Sequence, residues 1–260
     1  MIFLKLGGSL ITDKALPETV REETLARLAG EIREARAARS GLRLLLGHGA
    51  GSFGHRAAAK FGTHRGAVSR ADWQGFAEVW YAAQRLHCHV MDALHAESIP
   101  AVSFPPSASA ICRAGQIQTM AVEPIRHALD AGLLPVVFGD VAFDLAQGST
   151  IVSTERVFAF LAGPLHPSRL LLAGIEPGVF ADFPQRGRLM PEINEAHLDS
   201  IPLQGASETD VTGGMAAKVR DALGMMHALP DLEVHIFSGE APGAVREALL
   251  GSSPGTRLVR

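Results

Sequence analysis

Four lysines, Lys5, Lys14, Lys60 and Lys218, stand among 24 basic residues, and three of them lie in or just beyond a glycine-rich segment. Arginine carries nearly all other positive charge. A position that keeps lysine therefore points to a need for a compact, strongly hydrated ammonium rather than a planar fork, and phosphate oxygens bound as point charges are such a need. The first segment, Lys5-Leu6-Gly7-Gly8-Ser9, runs on to Lys14, and the last is Thr212-Gly213-Gly214-Met215-Ala216-Ala217-Lys218. Between them lies Gly47-His48-Gly49-Ala50-Gly51-Ser52-Phe53-Gly54-His55. Glycine lets the backbone approach a ligand without a Cβ in the way, and free N–H groups at a helix start favour anions. Three such turns, carrying three of the four lysines, describe a phosphoryl-transfer site assembled from distant parts of one chain.

Other readings of the same residues fare less well. Gly49-Ala50-Gly51-Ser52-Phe53-Gly54 spells the G-x-G-x-x-G of dinucleotide sites, but the acidic residue at the required distance, Asp72, precedes a helix at Trp73 instead of ending a strand. No stretch supplies the G-x-x-x-x-G-K-[ST] of a P-loop. His87-Cys88-His89 with His95 does not read as a zinc site, because consecutive helical positions point in different directions and cannot converge on one ion. No metal-ligating residue is assigned. Of the histidines that bracket the second segment, His48 reads as structural and His55 as a contact for a substrate phosphate. Asp140, directly after Gly139, could orient a lysine or cap a turn more readily than bind a metal directly, and Asp210 could be a helix-start residue or a lysine partner.

Short, mostly continuous apolar runs predict strands at Ile2–Leu6, Leu42–Leu46, Pro100–Phe104, Leu134–Phe138, Arg169–Ala173 and Glu233–Phe237. Between them, spacing of three and four predicts helices over about 20–38, 72–97, 121–131, 154–163, 214–228 and 242–250, with Gly41 and Gly132 as terminators. This alternation implies an α/β fold with a mainly parallel sheet covered on both sides. In such sheets ligands gather beyond the carboxyl ends of the strands, which is where the glycine segments fall. A turn at Gln147-Gly148 predicts a hairpin and an antiparallel edge on that sheet. The helix after Asp72 carries a broad apolar stripe, mostly core, of which Phe76, Val79 and Ala83 are placed in an apolar pocket for a substrate tail.

Length, 260 residues, permits one large domain, and the absence of repeats or a polar linker favours a single unit of two lobes that meet near Ala162 to Ser168. A net charge of −3 argues against a nucleic-acid partner. No apolar run reaches the length of a membrane span or a signal-peptide core. Cys88 and Cys112 sit at no metal or redox spacing and read as reduced thiols of a cytoplasmic protein.

In order along the chain, Lys-x-Gly-Gly-Ser after the first strand, G-x-G-S-F-G-H after the second, a G-D pair after a later strand and T-G-G-M-x-x-K near the C-terminus resemble the amino acid kinase superfamily. Within it, the second segment and Lys14 are similar to those of the isopentenyl phosphate kinases. The resemblance covers essentially the whole chain. It implies a three-layer α/β/α sandwich, residues 1–260 as one domain, with an acceptor lobe over about 1–165, a nucleotide lobe over about 166–260, and a homodimer. It further implies ATP and Mg²⁺ as cofactors and isopentenyl phosphate as the small-molecule substrate. Other acceptors kept open are another small phosphate or a phosphonate such as fosfomycin; a non-catalytic nucleotide-binding regulator is the alternative from another class. Carried over by motif, Lys5 and Lys218 contact ATP phosphates and Lys14 neutralises charge on the moving phosphoryl group. Gly7, Gly8, Ser9 and Gly51 line the nucleotide phosphate path, and Gly213 and Gly214 belong to the ATP side. Ala50 and His55 bind the acceptor phosphate, beside Gly139. Where the family commonly shows T-D-V-D-G-V, this chain has Gly174-Ile175-Glu176-Pro177-Gly178-Val179. Both aspartates are missing, so backbone groups near Gly174 and Gly178 are expected to take over adenosine contacts.

Overall fold

The structure, a computed structural model, describes residues 1–197 and 214–260, without the side chains of His55, Arg56, His64 and Ala216. From the N-terminus, β1 (Ile2–Leu6) passes through the single-turn α1 (Gly8–Ile11) into a hairpin of β2 (Thr12–Asp13) and β3 (Thr19–Val20), then α2 (Glu22–Ala38) and β4 (Leu44–His48). Next come α3 (Gly51–Phe61), the long α4 (Arg70–Ala96), β5 (Ala101–Ser103), a hairpin of β6 (Ile111–Arg113) and β7 (Gln116–Thr119), α5 (Glu123–Asp130) and β8 (Leu134–Phe138). A hairpin of β9 (Asp140–Asp144) and β10 (Gly148–Val152) leads to α6 (Thr154–Leu165), β11 (Arg169–Gly174), a small hairpin of β12 (Val179–Phe180) and β13 (Leu189–Met190), and β14 (Glu192–Ile193). The remaining described elements are α7 (Gly214–Ala228), β15 (Glu233–Ser238), α8 (Ala244–Leu250) and β16 (Thr256–Leu258).

Eight strands form the central sheet in the order β14-β16-β15-β11-β1-β4-β8-β5. Neighbours from β15 through β5 all pair in parallel. Parallel strands need crossovers, which cover both faces and bury every position, and β1, β4 and β8 are accordingly buried along their whole length. Strand parity sorts the core into two layers. Phe3, Leu45, Val137 and Leu170 pack with Phe158 and Leu161 of α6 and Val219 of α7. Ile2, Leu4, Leu46 and Leu171 face the other way, against Leu28 of α2, Leu86 and Val90 of α4 and Leu249 of α8. The result is the three-layer α/β/α sandwich with a mainly parallel central sheet.

The turn at Gln147-Gly148 does join antiparallel strands. That pair, however, lies in a separate four-stranded sheet ordered β10-β9-β6-β7, not on the edge of the main sheet. Asp144, at the end of β9, accepts N–H bonds from Ala114 and Gly115 in the β6–β7 turn and so holds β9 to that hairpin. The antiparallel edge of the main sheet is instead formed by β16, which pairs antiparallel with β15, and by β14, which pairs in parallel with β16.

Local chemistry explains the helix ends. Ser69 and Asp72 form a reciprocal capping box at the start of α4, which assigns Asp72 a structural role and removes the dinucleotide reading. Gly41 and Gly132 follow the ends of α2 and α5 with φ of 79° and 75°, left-handed values suited to glycine. Among the described residues no helix is long and apolar enough to cross a membrane.

Candidate active site

Lys5 is the single charge in an otherwise apolar buried strand, and its parity with Phe3 turns it toward α6 and α7. There its Nζ donates to Glu155 in the first turn of α6, in a pair with almost no exposure. Burial favours the neutral acid at Glu155, but the charges of Lys5 and Lys218 and the Lys5 hydrogen bond outweigh it and hold its pKa below the usual range. Lys218, one turn into α7, therefore shares the field of the same carboxylate.

These groups line one cleft beyond the carboxyl ends of β1, β4 and β8. Gly7, Gly8, Ser9, Lys14, Ala50, Gly51, Gly139, Val79 and Ala83 line it too. Lys5, Lys14 and Lys218 thus converge from distant parts of the chain. Lys60, the lysine outside the glycine segments, instead sits exposed on α3 with its Nζ 4.9 Å above the ring of Phe61.

The first two glycine segments are packed against each other. A Cβ on Gly8 would stand 2.4 Å from the Gly51 nitrogen, and Gly51 itself has φ of 52°. Only glycine permits that approach and that backbone. Thr12 Oγ1 locks the seam by donating to Gly8 O at 2.7 Å and accepting from Ser52 N at 3.0 Å. On the opposite wall, Thr154 Oγ1 donates to His48 O at 2.6 Å, tying the start of α6 to the end of β4.

Lys14 occupies the turn of the β2–β3 hairpin, which is held from both sides. Glu18 in the same turn pairs with Arg85 of α4. At the hairpin's foot, the Arg21 guanidinium binds Glu240 with two hydrogen bonds, Nη2 to Oε2 at 2.9 Å. Glu240 belongs to the loop after β15, whose Gly239 N donates to Gly174 O. The hairpin therefore connects α4 to the loops beyond β11 and β15.

The apolar end is built from Ala58 of α3, Val79 and Ala83 of α4 and Ile151 of β10. Phe76, placed in this pocket by sequence, does not line the cleft. It lies one turn nearer the start of α4, with its ring 5.1 Å from Phe143 and 5.6 Å from Trp73. Gly174 also lies off the cleft lining, with open space where a Cβ would stand. At Gly178 a Cβ would meet Thr256 Oγ1 at 2.4 Å, so packing explains that glycine. Gly214 starts α7, while Gly213 and Asp210 lie outside the described residues, and His55 is in α3 with its side chain outside them.

Asp140 lines the cleft and is buried, accepting from Val141 N at 2.8 Å and Ser107 N at 3.2 Å; burial pushes its pKa up to about 6. Sequence reasoning missed Glu155, Ala58, Ile151 and the Arg21–Glu240 link. Glu155 did carry a signal, because a lysine inside a fully buried strand requires a buried counter-charge.

The amino acid kinase family model matches residues 1–238. The chain is 37% identical to the isopentenyl phosphate kinase of Methanothermobacter thermautotrophicus, covering 99% of this chain and 98% of that one. It is 36% identical to the isopentenyl phosphate kinase of Haloferax volcanii over 98% and 97% of the two chains. Among solved structures, one described as an isopentenyl phosphate kinase superposes with a TM-score of 0.84 at 34% identity, over all of both chains.

Proposed function

Since the chain belongs to the amino acid kinase family, and within it to the isopentenyl phosphate kinases, we propose that it transfers the γ-phosphoryl group of ATP to the phosphate of isopentenyl phosphate, giving isopentenyl diphosphate and ADP. The observation that carries this reading is one cleft with three lysines and glycine backbone at one end and Ala58, Val79, Ala83 and Ile151 at the other. An anionic head with a short branched hydrocarbon tail suits both ends.

In this reading an oxygen of the acceptor phosphate attacks Pγ while the bond from Pγ to the bridging oxygen of ADP breaks. The protein's task is alignment and stabilisation of charge on the equatorial oxygens. Lys5 and Lys218, oriented by Glu155, hold the nucleotide phosphates, with Gly7, Gly8, Ser9 and Gly51 along the path and Gly213 and Gly214 on the same side. Lys14, reaching in from its hairpin, meets the charge on the moving group. Ala50 and Gly139 present backbone to the acceptor phosphate, and His55 is assigned to it as well. No general base is needed, because the acceptor oxygen is already ionised.

Mg²⁺ fits as an ion carried in by the nucleotide. Among the described residues no three His, Cys, Asp or Glu side chains cluster as a ligand set, and of the two carboxylates lining the cleft Glu155 is taken by Lys5. Asp140, next to Gly139 in the cleft lining, would be the carboxylate to meet the hydrated ion, which would neutralise triphosphate charge. In solution the protein acts as a homodimer, which light scattering tests.

Purified protein with Mg-ATP should release ADP when isopentenyl phosphate is added, and much less with fosfomycin. ADP release no faster than without acceptor would reject the assignment; equal rates with both acceptors would reject the role of the apolar end.

A further inference from the structure

Under the glycine segment that follows β4 runs a file of polar groups, two of them buried, that the transfer just described does not use. His48 Nδ1 lies 3.1 Å from Gly49 O, His48 Nε2 lies 3.0 Å from His87 Nδ1, and His87 Nε2 lies 2.7 Å from Ser103 Oγ. Both rings are buried and stack on Phe138, with centroids 5.2 and 4.1 Å from it.

One arrangement of protons satisfies all three contacts when both rings are neutral. A carbonyl oxygen only accepts, so His48 carries its proton on Nδ1 and donates to Gly49 O. Its Nε2 then accepts from His87 Nδ1–H, and His87 Nε2 accepts from the Ser103 hydroxyl. Burial disfavours the imidazolium at both, pulling His48 down to about 3 and His87 to about 4, so each ring is neutral at ordinary pH.

The file ends on the peptide between Gly49 and Ala50. In a planar trans peptide the carbonyl and the following N–H point in opposite directions. With Gly49 O drawn toward His48, the Ala50 N–H points away from the ring, and the Ala50 nitrogen itself lies 3.8 Å from where a Gly139 Cβ would stand. Ala50 and Gly139 both line the cleft, and among the described residues the Ala50 N–H has no acceptor. The N–H side of Gly49 is held by Leu6 O at 3.0 Å, and the His48 contact holds its carbonyl side.

We propose that His48, His87 and Ser103 are positioning residues, joined in a single-file hydrogen-bond relay that fixes the Gly49–Ala50 peptide with its N–H presented to the acceptor phosphate. The inference rests on the kinase reading above for the identity of the anion and on the relay's own geometry for everything else. A donor held in place before the substrate arrives needs no reorganisation during transfer.

The test pairs spectroscopy with substitution. In imidazole-¹⁵N-labelled wild-type protein at neutral pH, nitrogen shifts should show His48 and His87 both neutral and protonated on Nδ1; a proton on Nε2 of His48 overturns the relay. His48→Asn keeps an amide donor near the Nδ1 position, whereas His48→Gln moves it toward the Nε2 position and His48→Leu removes it. With ATP affinity and melting temperature matched to wild type, Asn should retain most turnover, while Gln and Leu should lose about 10- to 100-fold in kcat, the scale of a misplaced contact at a reacting group. Equal loss in Asn and Leu overturns the proposal. If the His48 variants do not fold, the wild-type spectrum still decides. Correct tautomers without turnover on isopentenyl phosphate would leave the relay standing and reject the substrate; turnover with the wrong tautomer rejects the relay alone.

Discussion

Lys5 and Glu155 meet across 150 residues of sequence, one on the central strand and the other in the first turn of the helix that covers it. Their pairing joins the first glycine segment to α6 and sets the field in which Lys218 sits. Glu155→Gln keeps the shape and removes the charge. It should lower kcat by about 10- to 100-fold and destabilise the fold by up to about 3–5 kcal/mol, the cost of breaking a buried pair.

The same carboxylate predicts a pH dependence. Its folded pKa lies below the unfolded value of about 4.3, so the unfolded chain takes up the proton first as pH falls. Its stabilisation is complete above that unfolded value and is lost as pH drops through the folded one. Urea unfolding at a series of pH values should therefore show a shallower acid-side decline in Glu155→Gln than in wild type; parallel curves would remove Glu155 from the acid response.

Lys14 is exposed on a hairpin and supports no core, so its replacement tests chemistry with little effect on folding. Lys14→Ala should reduce kcat by about 10²–10³-fold, as for loss of one group stabilising transition-state charge, with ATP affinity by calorimetry largely retained. Unchanged turnover would remove Lys14 from the reaction; a protein that binds ATP but shows no turnover even as wild type would be the non-catalytic regulator.

The contrast between Ala83 and Phe76 tests the apolar end. Ala83→Phe fills space in the cleft lining and should raise the KM for isopentenyl phosphate while sparing the KM for ATP, whereas Phe76→Leu, off the lining, should leave both nearly unchanged. Equal effects of the two on acceptor KM would place the tail elsewhere.

Arg21 and Glu240 join the foot of the Lys14 hairpin to the loop after β15. Each is about a third exposed, at 33% and 38%, so solvent screens the pair and its contribution to stability should stay below about 1 kcal/mol. Its effect should appear in kcat. Single alanine variants should each slow turnover, and the double variant should be no slower than either; additive losses would mean the two act independently.

Strands β1, β4, β8, β11 and β15 were legible because a strand buried on both faces leaves a continuous apolar run that little else produces; β5, at the sheet edge with Val102 exposed, was legible from its apolar start alone. Strands of two or three residues, such as β2, β3 and β14, are too short to show a period. The β9–β10 hairpin was legible as a hairpin, but its sheet was not, since partners are set by a contact between Asp144 and a turn some 30 residues earlier. The lysines and glycines of the site could be read from type and spacing. That Lys5 needs a buried counter-charge was legible too, but not that Glu155 supplies it, because an acid in the first turn of a helix also serves the helix dipole. A stripe identifies the buried face of α4 but not which turn of it reaches the cleft, and Phe76 packs behind the lining residues Ala58 and Val79.

The backbone seam between Gly8 and Gly51 separates two design problems. In the proposed transfer, where donor and acceptor phosphates stand relative to one another would be set by main chain on main chain, a ruler that side-chain substitution elsewhere cannot stretch. The far wall, formed by α4 and β10, can then change its lining to suit a different guest while the reacting distance stays put, so new acceptor preferences should arise there without retuning the transfer itself.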